Sequence, residues 1–152
     1  MAIQALRANA SHLDAVAQLF DAYRGFYHQP PNLEQSRAFI AERIAGNESA
    51  IFLAQDEQGQ ALGFVQLYPT FSSIDAHRAW LLSDLFTAPS ARGRGVGRLL
   101  MNTAREFALE TGAKSMTLET ATDNFTAQGL YDSLGYVRDT GYYTYLLDLR
   151  QA

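Results

Sequence analysis

The stretch Arg92-Gly93-Arg94-Gly95-Val96-Gly97-Arg98 decides how this chain is read, because it turns an apolar run ending at Thr87 into a helical pattern that reaches Gly112. Its glycines leave main-chain N–H groups uncovered. The helix that follows adds first-turn N–H donors without intrahelical partners and a partial positive charge, so an anion there would be held mostly by backbone. Arg92, Arg94 and Arg98 add side-chain charge. A tight strand-to-helix turn also uses glycine for conformational reasons alone, and the loop by itself does not separate the two readings. Two nucleotide loops are excluded by residue type. A Walker loop ends Gly-Lys-Ser/Thr, whereas Gly97 is followed by Arg98 and Leu99; a dinucleotide fingerprint needs a third glycine where Arg98 stands.

Downstream of the loop, Val96, Leu99, Leu100, Thr103, Ala104, Phe107 and Ala108 follow the i, i+3, i+4, i+7 rule of a helix packed on a sheet. Upstream, residues 80–87 form an apolar strand that contains Asp84, an acid that must be paired in the core or face a cleft. Before it, residues 50–55 and 61–68 are apolar on both faces and flank Asp56-Glu57-Gln58-Gly59, the pattern of a hairpin of interior strands. Residues 70–78 have no clear period and read as a loop. The N-terminal part gives a strand at 3–7, a helix start at Ser11-x-x-Asp14, and an apolar face of Leu13, Val16, Ala17, Phe20 and Tyr23 that stops by Pro30-Pro31. Asn32 with Gln35 caps a second helix ending near Gly46. Past Gly112, residues 115–120 form a strand with Met116 and Leu118 on one face and Thr117 and Glu119 on the other. Ala127, Leu130, Tyr131 and Leu134 mark a short helix closed by Gly135, and 136–138 with 142–149 read as a final antiparallel pair. The order β-α-α-β-β-β-α-β-α-β-β predicts an α/β chain, one domain over 1–152, whose mixed sheet carries helices on both faces.

With 152 residues, 47% hydrophobic and 18% charged, the chain fits one soluble globular core. A net charge of −4 argues against a general nucleic-acid binder and is permissive toward cationic substrates. The absence of cysteine excludes disulfides, thiolate metal sites and a covalent cysteine intermediate. His and acid ligands do not cluster at metal spacing, so no metal is expected. No segment has the length of a membrane span, and the expected setting is the cytoplasm. Tyr136, Tyr142, Tyr143 and Tyr145 give the final strands an aromatic surface suited to a homodimer.

Arg92-x-x-Gly95-x-Gly97 resembles the pyrophosphate loop of the GNAT superfamily of N-acetyltransferases. The likeness extends to Leu85-Phe86-Thr87 upstream and to Asn124-x-x-Ala127-x-x-Leu130-Tyr131-x-x-x-Gly135-Tyr136 downstream, in order and at spacing from Leu82 to about Val137. Looser matches at Phe20-Asp21-x-Tyr23-Arg24 and Phe64-x-Gln66-Leu67-Tyr68-Pro69 resemble the branch with histone and polyamine acetyltransferases. The resemblance implies a central, mostly antiparallel mixed sheet with a splay between two central parallel strands, which binds acetyl-CoA. It implies that Leu85, Phe86 and Thr87 pair with the pantetheine arm through their backbone, and that an N–H near Leu85 polarises the thioester carbonyl. Residues 92–98 (Arg92, Gly93, Arg94, Gly95, Val96, Gly97, Arg98) would hold the pyrophosphate, with Asn124 and Ala127 on the arm's other side.

By the same resemblance Tyr131 is a general acid for the leaving thiolate; it also continues the Ala127, Leu130, Leu134 stripe, as a buried aromatic would. A strand carboxylate often deprotonates the amine in this family, which ranks Glu119 first and Asp84 second. Asp84 could instead bind a cationic acceptor. Tyr23, Tyr27 and Tyr68 are expected to line the acceptor cleft, and residues 70–78 to bear on specificity. The implied reaction is direct acetyl transfer to a primary amine, either a small molecule such as a polyamine or a protein lysine. The competing reading from another class is a non-catalytic acyl-CoA-binding regulatory module.

Overall fold

The computed structural model describes residues 2–151. It falls into two compact units, residues 1–119 and 120–152. In the first, strands β1 (Gln4–Arg7), β2 (Ala50–Gln55), β3 (Ala61–Ser72), β4 (His77–Thr87) and β5 (Ser115–Leu118) lie side by side in that order. Every neighbour pairs antiparallel except β4 with β5, which is parallel. Helices α1 (Leu13–Phe26) and α2 (Leu33–Ala45) pack on one face, where Phe20 stacks on Phe39 at 5.3 Å and meets Phe64 edge-on at 6.3 Å. Helix α3 (Val96–Glu110) packs on the other, with Phe107 against Phe52 and Trp80, both at 5.2 Å. Val16, Ile40, Leu53 and Phe64 are fully excluded from solvent; each such side chain contributes about 1.5–3 kcal/mol relative to exposure.

Several local features differ from the sequence expectation. The first helix is not capped by Ser11. A 3-10 turn over Ala10–His12 precedes it, with Asn9 Oδ1 accepting from Ser11 N and His12 Nδ1 accepting from Asn9 N. Asn32 does cap α2, accepting from Gln35 N. Residues 70–78 are not a loop: β3 and β4 stay paired to Ser72↔His77 and turn over 73–76. Their lack of period follows from exposure, since much of this part of the hairpin lies outside the core and selects no apolar face.

β5 ends at Leu118, leaving Glu119 outside the strand on which it was expected. The second unit holds α4 (Phe125–Ser133), with Asn124 at its N-cap, and a 3-10 turn at Leu149–Gln151. The expected strands at 136–138 and 142–149 are not formed. Their tyrosines and leucines have strand propensity, but a strand exists only as part of a ladder, and these residues join no ladder in the described structure.

Candidate active site

Two irregularities shape the carboxyl end of β4. Its parallel ladder with β5 runs only from Ala79↔Ser115 to Leu82↔Leu118, while β4 itself continues to Thr87. On the β3 side the register slips at the same place, from Leu67↔Leu82 to Gln66↔Asp84, so Ser83 is an extra residue, a bulge that bends the strand. Residues 83–87 therefore keep β3 on one side and have no strand on the other. Ala88 N donates to Leu62 O, and antiparallel pairing alternates. Phe86 and Asp84 thus direct their main-chain groups to β3, whereas Leu85 and Thr87 direct theirs to the open edge.

The open edge leads into the glycine loop. Gly93 and Gly95 have φ of +80° and +79°, a region costly for other residues, and a Cβ added at either would meet nothing within 4 Å. Gly95 is the N-cap of α3 and offers no side-chain acceptor to the first-turn N–H groups. Gly63, on the neighbouring strand, sets the height of this corner: a Cβ there would lie 2.6 Å from Phe86 O and 3.0 Å from Val96 Cγ1. Arg92 folds back, its Nε donating to Thr87 O at 3.2 Å and its guanidinium lying over Phe86. It braces the loop on the strand end.

On the α1 face the acid of β4 is buried in a polar cluster. Asp84 is 4% exposed; Ser83 Oγ donates to its Oδ1 at 2.8 Å and Gln66 Nε2 to its Oδ2 at 2.5 Å. Gln66 is fully buried, and its Oε1 accepts from Ser49 Oγ at 2.8 Å. Tyr23, from α1, packs against Phe64, Phe86 and Tyr27 and donates its hydroxyl to Ser83 O at 3.2 Å, beside the Asp84 carboxylate. Burial pushes the Asp84 carboxyl above the ordinary range, against the pull of its two donors, Ser83 and Gln66, and of the Tyr23 hydroxyl beside it. Burial, and then the Asp84 charge, hold the Tyr23 phenol far above its usual value and push Tyr68 up to about 12. Both tyrosines are therefore protonated at any physiological pH. Asp84 is a stronger base than an exposed carboxylate, and its hydroxyl neighbours are fixed donors.

The profile of the Acetyltransferase (GNAT) family matches residues 13–136, most of the chain and both units. The chain belongs to the GNAT family of acetyltransferases. It is 43% identical over 143 residues to an uncharacterized N-acetyltransferase, YhfO, of Bacillus subtilis, covering 94% of this chain and 95% of that one. A crystal structure of a probable acetyltransferase superposes with a TM-score of 0.90 at 40% identity, covering 96% and 97% of the two chains. The aminoglycoside N-acetyltransferase AAC(6')-Iy, in complex with CoA, shares the fold at 21% identity, with a TM-score of 0.83 and coverage of 96% and 95%.

As a GNAT enzyme the chain is an acetyl-CoA-dependent N-acetyltransferase, and its own residues fit that donor. The loop presents backbone N–H groups and arginines with no acidic side chain between positions 92 and 98, and the vacant Cβ positions leave its surface open to a pyrophosphate. The first unit brings Tyr23 and Tyr27 together with Tyr68 and Asp84. Glu119 is not part of this cluster. It is exposed, one residue beyond the last register pair, and makes no hydrogen bond or ion pair among the described residues.

The second unit carries Asn124, Ala127 and Tyr131. Asn124 Oδ1 accepts from Ala127 N at 3.2 Å, so its oxygen is used as a helix cap and its Nδ2 is the group left to donate. Tyr131 is half-buried with its ring 5.9 Å from that of Tyr136. Gln66, Ser83 and Ser49 were not singled out from sequence as site residues. The available signal was Gln66 itself, a polar residue inside the apolar run Ala61-Leu62-Gly63-Phe64-Val65-Gln66-Leu67-Tyr68. Among the described residues no three His or acid side chains gather to hold a metal, and no helix is long and apolar enough to cross a membrane.

Proposed function

We propose that this enzyme acetylates a primary amine by direct attack in a ternary complex, with Asp84 rather than Glu119 as the base. The observation that carries the reading is the meeting, at one bulge, of an open strand edge and a buried carboxylate. Acetyl-CoA supplies an activated thioester. The Leu85 and Thr87 main-chain groups bind the arm along the edge, and the Leu85 N–H faces the carbonyl oxygen, where negative charge develops. Residues 92–98 take the pyrophosphate. Asp84 accepts the proton that the attacking ammonium must lose, and the Ser83 and Tyr23 hydroxyls hold hydrogen bonds around it. By the motif they match, Asn124 binds the arm and Tyr131 gives a proton to the departing thiolate.

The acceptor is a cation before it reacts, and Tyr23, Tyr27 and Tyr68 offer it aromatic faces beside an acid. A polyamine-like small molecule and a protein lysine both meet that description, as does the loose likeness to the histone and polyamine branch. The exposed Tyr142, Tyr143, Tyr145 and Leu146 support a homodimer. A panel of amines with acetyl-CoA, read by free thiol release, tests the reaction. At least one primary amine is expected to release coenzyme A in proportion to enzyme. Tight acetyl-CoA binding with no release on any amine would favour the non-catalytic acyl-CoA-binding module.

A further inference from the structure

Three polar side chains among the described residues are buried: Ser36, Gln66 and Asp84. Ser36 is accounted for by its 2.8 Å bond to Asp21, which ties α2 to α1. Gln66 makes two bonds of this kind. It connects Ser49, just ahead of β2, to Asp84 on β4, from the middle of an otherwise apolar stretch of strand. An apolar side chain of similar volume would fill the position without the cost of desolvating an amide.

The chemistry of the amide fixes its orientation. Nε2 can only donate and Oε1 can only accept. With Asp84 ionised, turning the amide round would set Oε1 against a carboxylate oxygen. The Ser49 hydroxyl, donating to Oε1 at 2.8 Å, holds the favourable orientation. Gln66 and Asp84 are direct partners in the β3–β4 register, so the backbone sets how closely they approach. The two carboxylate oxygens thus have different neighbours: Oδ2 takes the Gln66 amide, and Oδ1 takes the Ser83 hydroxyl at the bulge, where the strand edge opens.

We propose that Gln66 is a positioning residue for acetyl transfer: locked by Ser49, its amide pins Oδ2 of Asp84 and leaves Oδ1, beside the Ser83 hydroxyl, as the oxygen that receives the amine proton. This rests on Asp84 being the base. The other groups facing Asp84 are the Tyr23 phenol from α1, with Tyr27 behind it, and Tyr68 from β3, with Arg43 of α2 beyond Tyr68. Removing the Gln66 donor withdraws a hydrogen bond that is charge-assisted, and so stronger, in the ionised form. The Asp84 carboxyl must then titrate at higher pH.

The test compares Gln66→Leu, Ser49→Ala, Ser49→Thr and Asp84→Asn by two measurements: a ¹³C NMR titration of the Asp84 carboxyl in the full chain (for Asp84→Asn, only its absence), and kcat/KM against pH on an accepted amine. Gln66→Leu is expected to raise both the Asp84 midpoint and the acidic limb by about one to two pH units. It should lower kcat about tenfold at neutral pH with the acetyl-CoA KM unchanged. Ser49→Ala should shift both in the same direction by less, and Ser49→Thr should restore them. A merely structural role would lower Tm and leave the Asp84 midpoint in place. If Asp84→Asn retains the limb, the base assignment fails and this inference with it. If Asp84→Asn removes the limb but neither Gln66→Leu nor Ser49→Ala moves the Asp84 midpoint, only the role of Gln66 is overturned. Should Gln66→Leu fail to fold, Ser49→Ala decides alone.

Discussion

The glycine loop at 92–98 and the acid cluster around Asp84 adjoin opposite ends of one short piece of β4 and are built on opposite principles. The loop is built by leaving things out: Gly93 and Gly95 have no side chain, residues 92–98 include no acid, and in the proposed mechanism main-chain N–H groups supply the recognition. The cluster works by putting things in. Gln66, Ser83, Ser49 and Tyr23 each spend a side chain on orienting a single carboxylate. In the proposed mechanism donor binding is thereby separated from base chemistry, and substitutions in the two regions should have different kinetic signatures.

The largest effects are expected where the chemistry is. Asp84→Asn should lower kcat by on the order of 10² to 10⁴, the range of general base catalysis, and erase the acidic limb while acetyl-CoA affinity is kept. Tyr131→Phe should fall in the same range, because it removes a hydroxyl and leaves the ring packed on Tyr136. Glu119→Gln should change kcat by no more than about twofold, since removing an exposed, unpartnered acid withdraws nothing from the transition state. Stopped-time assays across pH would reverse the ranking of the two acids if the limb disappeared with Glu119 and not with Asp84.

Gly95→Asp should show the complementary signature, a loss of acetyl-CoA affinity of on the order of 10²-fold by calorimetric titration. Its added Cβ meets no protein atom, so a change in binding reports on the ligand side of the loop. Gly95→Ala separates the contributions, because the positive φ alone costs about 1 kcal/mol and adds no charge. Unchanged affinity in a folded Gly95→Asp protein would mean that the donor is held elsewhere.

The two regions were also unequally legible in the sequence. A backbone site must declare itself through glycine spacing, and the loop, the helix it opens and its apolar face at Val96, Leu100 and Ala104 are all legible in the residue pattern. A side-chain site assembled from α1, β3, β4 and the approach to β2 has no linear signature. Glu119 ranked ahead of Asp84 as a strand acid, whereas in the structure β5 ends at Leu118, Glu119 is exposed and Asp84 is buried. The hairpin extension over 70–78 was missed because a strand with few buried positions has little hydrophobic period to read. The strands expected at 136–149 failed for the opposite reason: their aromatic composition signals propensity, and propensity supplies no ladder partner.

The smallest expected effect is on stability, and it distinguishes a functional acid from a structural one. Folding raises the Asp84 pKa, chiefly by burial, so between the ordinary carboxylate value near 4 and the raised folded value the native state binds more protons than the unfolded state. Stability must then fall as pH rises through that window, by about 1.4 kcal/mol for each unit of elevation. At lower pH both states are protonated and the contribution is fully present. Asp84→Asn, which never ionises, escapes the loss. Its Tm relative to the parent should therefore improve from pH 4 to pH 8, even as its activity collapses, and Gln66→Leu should steepen the parent's decline by removing a donor that supports the charged form. An acid kept for stability would show the reverse, with the substitution most damaging at pH 8.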